Sequence, residues 1–195
     1  MCMNVCGTKQ VGGNMLFKSL LVLLLSFTTS VFAQSSLMVS YGHRVIDANH
    51  SENKQNTIGI RTKVGDNLFA DFGYGNDIGL VSNVKTLRTE AGLSTTYKQL
   101  FARVSVGEKK VDRVQGIYYY TAEAGLVIPL TESITTKVSF RSRDAFNSAD
   151  KDHTSTMRYA AAYRITKQDI LELGYDDLKG HGGSNITTYK YIRNF

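Results

Sequence analysis

Two short stretches hold the residue pair that general-base chemistry uses. "DANH" sets Asp47 near His50, and "DKDH" sets Asp150 and Asp152 near His153. An Asp can orient an imidazole so that it takes a proton. Meeting at one rim, these pairs would suit a hydrolase; as short loop segments they read better as solvated polar side chains. A metal site from His50, His153 and His181 requires three separate loops to converge, so no metal, cofactor or catalytic residue is assigned. "GHGGS" (Gly180 to Ser184) reads as a flexible loop tip rather than a phosphate cradle, since no strand–loop–helix surrounds it. Cys2 and Cys6 lie upstream of an apolar run, so the rest of the chain has neither a disulfide framework nor a thiol nucleophile.

A larger set of charges recurs at alternate positions. It comprises Arg44, Arg61, Lys63, Asp71, Arg88, Glu90, Arg103, Glu123, Lys137, Arg141, Arg143, Arg158, Arg164, Glu172, Asp176 and Lys190, mixed with Gly, Ser and Thr. The opposite parity is almost free of charge, with Arg193 the main exception. Strict alternation is the period of a β-strand.

The elements that position these charges are ten alternating segments, at about 36–46, 56–65, 68–75, 86–97, 100–107, 116–128, 134–143, 156–166, 169–177 and 185 to the end. Pro129 should break the sixth. The connections alternate too. "GDN", "KQ", "PLTES" and "TKQ" are short, whereas those after the odd-numbered strands are longer and polar, such as "DANHSENKQ" and "GEKKVDRVQ". Short turns on one side and long loops on the other describe an up-and-down meander. Eight strands is the alternative count, if the fifth and ninth segments are loops.

The N-terminus reads as a targeting segment. Lys18 precedes an apolar run from Ser19 to Phe27, and Val31-Phe32-Ala33 gives a small-residue cleavage pattern. That makes 1–33 a secretory signal peptide, with Met15 a candidate start, and 34–195 a single β-domain. Removing 1–33 takes away Lys9 and Lys18 and no acid, leaving 21 bases against 17 acids.

A soluble sandwich or barrel hides its apolar face, whereas a membrane barrel turns it to lipid and its polar face to the lumen. The apolar parity here is mild, built from Ala, Thr, Leu and Val, and Tyr41, Tyr74, Tyr97, Tyr118, Tyr159 and Tyr175 sit near its strand ends. Aromatics there suit an interfacial girdle. Backbone groups in lipid must all be paired, so a spanning sheet closes on itself, first strand to last. The chain's last strand, "YKYIRNF", would seal it. The expected fold is all-β: a closed antiparallel up-and-down transmembrane β-barrel with ten strands, both termini periplasmic and five loops outside. A soluble periplasmic β-sandwich is the alternative.

With its signal peptide, alternating segments and terminal "YKYIRNF", the chain resembles the small outer-membrane β-barrels of Gram-negative bacteria, the OmpA-like, OmpX-like and porin-like group. The resemblance implies that Tyr189, Tyr191 and Phe195 form the signal read by the barrel-assembly machinery; Arg193 departs from that pattern, where an apolar residue is usual. It implies outer-membrane lipid and lipopolysaccharide as surroundings.

Inside such a barrel the alternate charges have two readings. Eleven bases against five acids would favour small anions in a pore. Paired, they would instead plug the lumen, since a barrel of about eight strands is just wide enough for side chains to fill. The plugged or barely conducting reading is preferred, but Arg141, Arg143, Arg158 and Arg164 exceed the acids among them, so water or anions should enter. The basic loop "GEKKVDR" (Lys109, Lys110, Arg113) could touch lipid phosphates or be solvated. Nucleic-acid binding is excluded, because the charges lie in the lumen register without a basic–aromatic stacking face. The expected role is structural or permeability-related, without catalysis, and a rim enzyme or a ligand- or adhesion-binding barrel is the competing class.

Overall fold

A computed structural model describes residues 35–46, 51–80, 84–112, 116–150, 152–180 and 183–195. The proposed signal peptide, both cysteines, Asp47, His50, Arg113 and His181 lie outside these residues.

Ten strands form one closed antiparallel barrel, each paired to its sequence neighbours and the last to the first. They are β1 (Ser35–Ile46), β2 (Ser51–Lys63), β3 (Leu68–Gly79), β4 (Lys85–Tyr97), β5 (Leu100–Val111), β6 (Ile117–Pro129), β7 (Ile134–Ala145), β8 (Thr154–Arg164), β9 (Asp169–Gly180) and β10 (Ser184–Asn194). The ten-strand expectation holds: β5 and β9, both fully paired, overturn the eight-strand count, and closure of β10 on β1 overturns the β-sandwich. Pro129 ends β6 rather than interrupting it, as its missing N–H requires.

The register fixes the shape. From Ser40, pairing runs one way through Lys190, Glu172, Ala162 and Thr135 to Pro129. The other way it runs through Thr57, Gly75, Arg88 and Lys109 to Ile117, twelve residues from Pro129 on the same strand. That stagger is about 40 Å against about 48 Å of sheet width, a strand tilt of about 40°.

One end carries the short turns. Val64 and Gly65 donate to the Leu68 carbonyl at 2.9 and 3.2 Å. Thr131 and Thr166 each accept two backbone N–H bonds through their hydroxyl oxygens, bracing the turns before β7 and β9. In the two-residue turn before β5, Lys98 takes the left-handed conformation, with φ 53°.

The opposite end differs from expectation. The long polar connections are mostly strand: β2 begins at Ser51, β3 runs to Gly79, β5 to Val111 and β9 to Gly180. Backbone pairing continues there after the apolar alternation stops, because a ladder in water needs no apolar side chains. The longest connection, between β7 and β8, includes a 3-10 turn at Ser148–Asp150.

The faces are inverted relative to a soluble protein. Val104, Leu93, Ile60 and Leu171 point outward and are about half exposed, while Asp71 and Glu123 are buried inside. The tyrosines mark a height on this outer face. Tyr41, Tyr74, Phe140 and Tyr175 each stand six residues from the turn-end residue of their strand (Ser35, Leu68, Ile134, Asp169), and Tyr159 and Tyr189 stand five from Arg164 and Asn194. They therefore form a belt at mid-strand, whereas the sequence placed four of them near strand ends. Below the belt the outward positions are apolar or neutral, with Asp169 and Arg193 paired at the rim, 3.7 Å apart. That pairing explains why Arg193 is tolerated on the apolar parity. Above it come Glu52, Lys54, Glu108, Lys110, Asp144, Asp177 and Lys179. With the exposed turn residues Val64, Leu130 and Ile165, the apolar band is about 20 Å tall.

Candidate functional site: the charged lumen

A charge moved out of water must be paired and hydrogen-bonded. The lumen pairs its charges at and below the belt, with only Asp71 Oδ2 and Arg103 Nε of that network buried without a hydrogen bond among the described residues. Arg61 donates to Asp71 at 2.6 Å, and Arg103 spans from Asp71 (3.6 Å) up to Glu90 (2.9 Å). Glu90 also accepts from Arg141 at 2.6 Å, Ser105 at 2.9 Å and Tyr119 at 3.2 Å. The Arg141–Glu90 bond joins β7 to β4, so it crosses the lumen instead of running along the wall. Glu123 is held by Lys137 at 2.8 Å, Ser139 at 2.7 Å and Arg158 at 3.3 Å. Arg158 continues to Asp176 at 3.1 Å, and Lys190 pairs with Glu172. Lys137 also lies 3.6 Å from the centre of the Phe101 ring.

Above the belt the balance changes. Arg44, Asp77, Arg88, Lys109 and Arg143 each stand nine residues from the turn-end residue of their strand (Ser35, Leu68, Tyr97, Leu100, Ile134), so they form a ring at one height. Arg88 pairs with Asp77 at 2.8 Å. Asp152, from the β7–β8 connection, is buried and takes Lys109 at 2.7 Å and Arg143 at 3.0 Å. Burial works against its ionisation, but the Lys109 hydrogen bond and the Arg143 and Lys109 charges outweigh it and hold its carboxyl below the usual carboxylate range. Arg44 has no ion-pair partner among the described residues. Tyr119 joins the two levels: its hydroxyl donates to Glu90, and its ring lies 5.3 Å from the Arg143 guanidinium. Gly107 makes room for that ring, since a Cβ there would stand 2.6 Å from it.

A cavity of about 490 Å³ follows this interior. Its lining reaches from Thr96, Phe101 and Ile192 near the turn end to Arg44, Tyr119 and Thr154 near the loop end. It has room for roughly sixteen waters.

Of the lumen residues expected from sequence, Arg61, Asp71, Arg88, Glu90, Arg103, Glu123, Lys137, Arg141, Arg143, Arg158 and Glu172 line this cavity. Lys63 and Arg164 do not. They are the last residues of β2 and β8, and their side chains leave at the turn-end rim, Arg164 into solvent. Sequence reasoning missed Asp77 and Lys109 because it stopped β3 and β5 short, and alternation carried two residues further would have found both. It also read Asp152 as a solvated loop residue. The Asp152–His153 pair does not form: Asp152 turns inward, and His153 Nδ1 lies 2.5 Å from Asp144 on the exposed rim. Lys109 is unavailable to lipid phosphate, being inside, while Lys110 points outward beside Glu108 at 3.4 Å. Tyr189, Tyr191 and Phe195 lie on the outer side of the closing seam. Tyr189 pairs with Tyr41 and Tyr191 with Val39, and Phe195 N–H donates to the Ser35 carbonyl at 2.8 Å. Among the described residues no cluster of metal-ligating side chains occurs.

No protein-family model and no curated protein matches the chain. Solved structures do. An outer-membrane channel from Pseudomonas putida F1 matches over 84% of this chain and 96% of its own, with 9% identity and a TM-score of 0.50. The translocator domain of the autotransporter NalP from Neisseria meningitidis matches over 93% and 95%, with 11% identity and a TM-score of 0.47. NanC porin matches over 80% and 98%, with 12% identity and a TM-score of 0.47. The likeness is one of fold: the chain has the architecture of an outer-membrane β-barrel.

Proposed function

We propose that this protein resides in the outer membrane as a structural and permeability barrel, admitting water and small anions and no larger solute, and without catalysis. The observation that carries the reading is the inversion of the wall: an apolar outer band under a tyrosine belt encloses buried, cross-paired charges. Such a surface suits hydrocarbon, and the belt suits the interface. Residues 1–33 act as the export signal, and Tyr189, Tyr191 and Phe195 as the surface met by the barrel-assembly machinery. Outer-membrane lipid and lipopolysaccharide then surround the outer face, with lipopolysaccharide sugars reaching the polar strands above the belt.

The Arg141–Glu90 crossing and the modest cavity volume favour a narrow path. The excess of bases over acids along it favours anions. Single-channel recording of the purified protein in a planar bilayer tests this. Small steady steps are expected, with a reversal potential shifted toward the chloride equilibrium value in a salt gradient. Silence from a folded barrel, or cation preference, would overturn the permeability reading.

A further inference from the structure

The ring above the belt offers more donors than the chain's own acids use. Arg44 has no acid within 4 Å among the described residues. Among the charges that act on it, Arg88 and Arg143 repel it while Asp77 and Asp176 attract it. Among the described residues, the Nε atoms of Arg88 and Arg143 are buried without a hydrogen-bond acceptor. Strand register sets these guanidiniums at one height, and only Arg88 and Arg143 have an acid to pair with there. Such a concentration of fixed planar donors is a well for an anion with several oxygens. The chain itself fills part of it. Asp152 reaches in from the β7–β8 connection and places Oδ1 on Lys109 and Arg143, while its Oδ2 is buried with no hydrogen-bond partner among the described residues.

We propose that the mouth of the lumen is a binding site for a small oxyanion of the phosphate class, held by Arg44, Arg88 and Arg143, with Asp152 as a tethered competitor. It rests on the barrel reading above and adds a discrete station to it. An entering oxyanion supplies acceptors to Arg44 and to the free Nε edges, and repels the Asp152 carboxylate from Arg143. The Asp152 carboxylate then leaves Arg143, or stays and weakens binding. Lone chloride gains less, because it cannot bridge several forks at once.

Pyrophosphate, titrated calorimetrically into the detergent-purified protein, is the probe. Saturable binding is expected, one per barrel. Arg44→Gln should weaken it about tenfold, Arg44→Lys much less, and Asp152→Asn should tighten it about fivefold. Heat-dependent gel mobility confirms that each variant is folded. Arg44→Gln removes a repelled charge and is expected to fold, so the Gln and Lys variants decide the matter even where Asp152→Asn does not fold. No saturable binding by the parent, equal binding by Arg44→Gln, or weaker binding by a folded Asp152→Asn would each overturn the site. Binding without bilayer conductance would remove the permeability reading and leave the site. Conductance without an Arg44 effect on binding would do the reverse.

Discussion

The barrel below the tyrosine belt and the barrel above it use one set of strands in two ways. At and below the belt the outer face is apolar, and inside, Asp71, Glu90 and Glu123 are each shared by two cations, while Glu172 and Asp176 each take one. Above it charged side chains join apolar ones such as Leu87, Tyr118 and Tyr120 on the outer face, and inside, the ring of Arg44, Arg88, Lys109 and Arg143 outnumbers Asp77 and Asp152. Where charge is fully paired across strands, it holds the wall together. Where the sheet holds charge in surplus, the charge is available to something else.

The largest effect should come from unpairing the lower network. Glu123→Ala leaves Lys137 and Arg158 without that carboxylate and is expected to destabilise the barrel by about 3–5 kcal/mol. Urea unfolding in lipid vesicles measures it. Arg44→Gln, at the ring cation with no ion pair among the described residues, should fall within about 0.5 kcal/mol of the parent. Equal losses would erase the distinction between the levels.

A charge on the outer face sharpens the comparison from the other side. Val104→Arg lies two residues below the belt height and should lose about 2–4 kcal/mol in lipid. Ser155→Arg, outward and above the belt, should lose less than about 0.5 kcal/mol. Gly107→Val strikes the junction of the two levels. Its side chain would collide with the Tyr119 ring and the Thr89 carbonyl, and a loss of about 1–3 kcal/mol in the same assay is expected.

The smallest effect is a pH dependence confined to the mouth. Because the folded state holds the Asp152 carboxyl below its ordinary value, its contribution is complete above about pH 4 and disappears as pH falls through the folded value. The protection factors of the Lys109 and Arg143 amides, corrected for the intrinsic pH dependence of exchange, should therefore fall in acid, and Asp152→Asn should remove that acid limb. An unchanged acid limb in the variant would show that the Asp152 contacts do not hold the mouth.

Alternation made the lower half readable from sequence. Leu37, Val39 and Tyr41 against Ser40, Gly42 and Arg44 announces both strand and face, and ten such runs gave the closed barrel. The upper half was harder to read. Ser51 to Asn56, "SENKQN", is polar on both faces, so nothing in its side chains separates a ladder in water from a loop. Asp77 and Lys109 were lost for that reason, although each keeps the inward parity of its strand. Asp152 is different in kind. Its inward turn depends on the path of a connection and on cations from β5 and β7, which no local pattern encodes.

Residues 34–195 contain no cysteine, so single cysteines can report the belt directly. Val104→Cys and Ser155→Cys, each labelled with a fluorophore in lipid vesicles, should be quenched from opposite phases. The label at 104 should respond to brominated lipid chains and not to iodide, and the label at 155 to iodide alone. Equal iodide quenching at both positions, in a protein that stays folded in plain buffer, would contradict a lipid-embedded lower half.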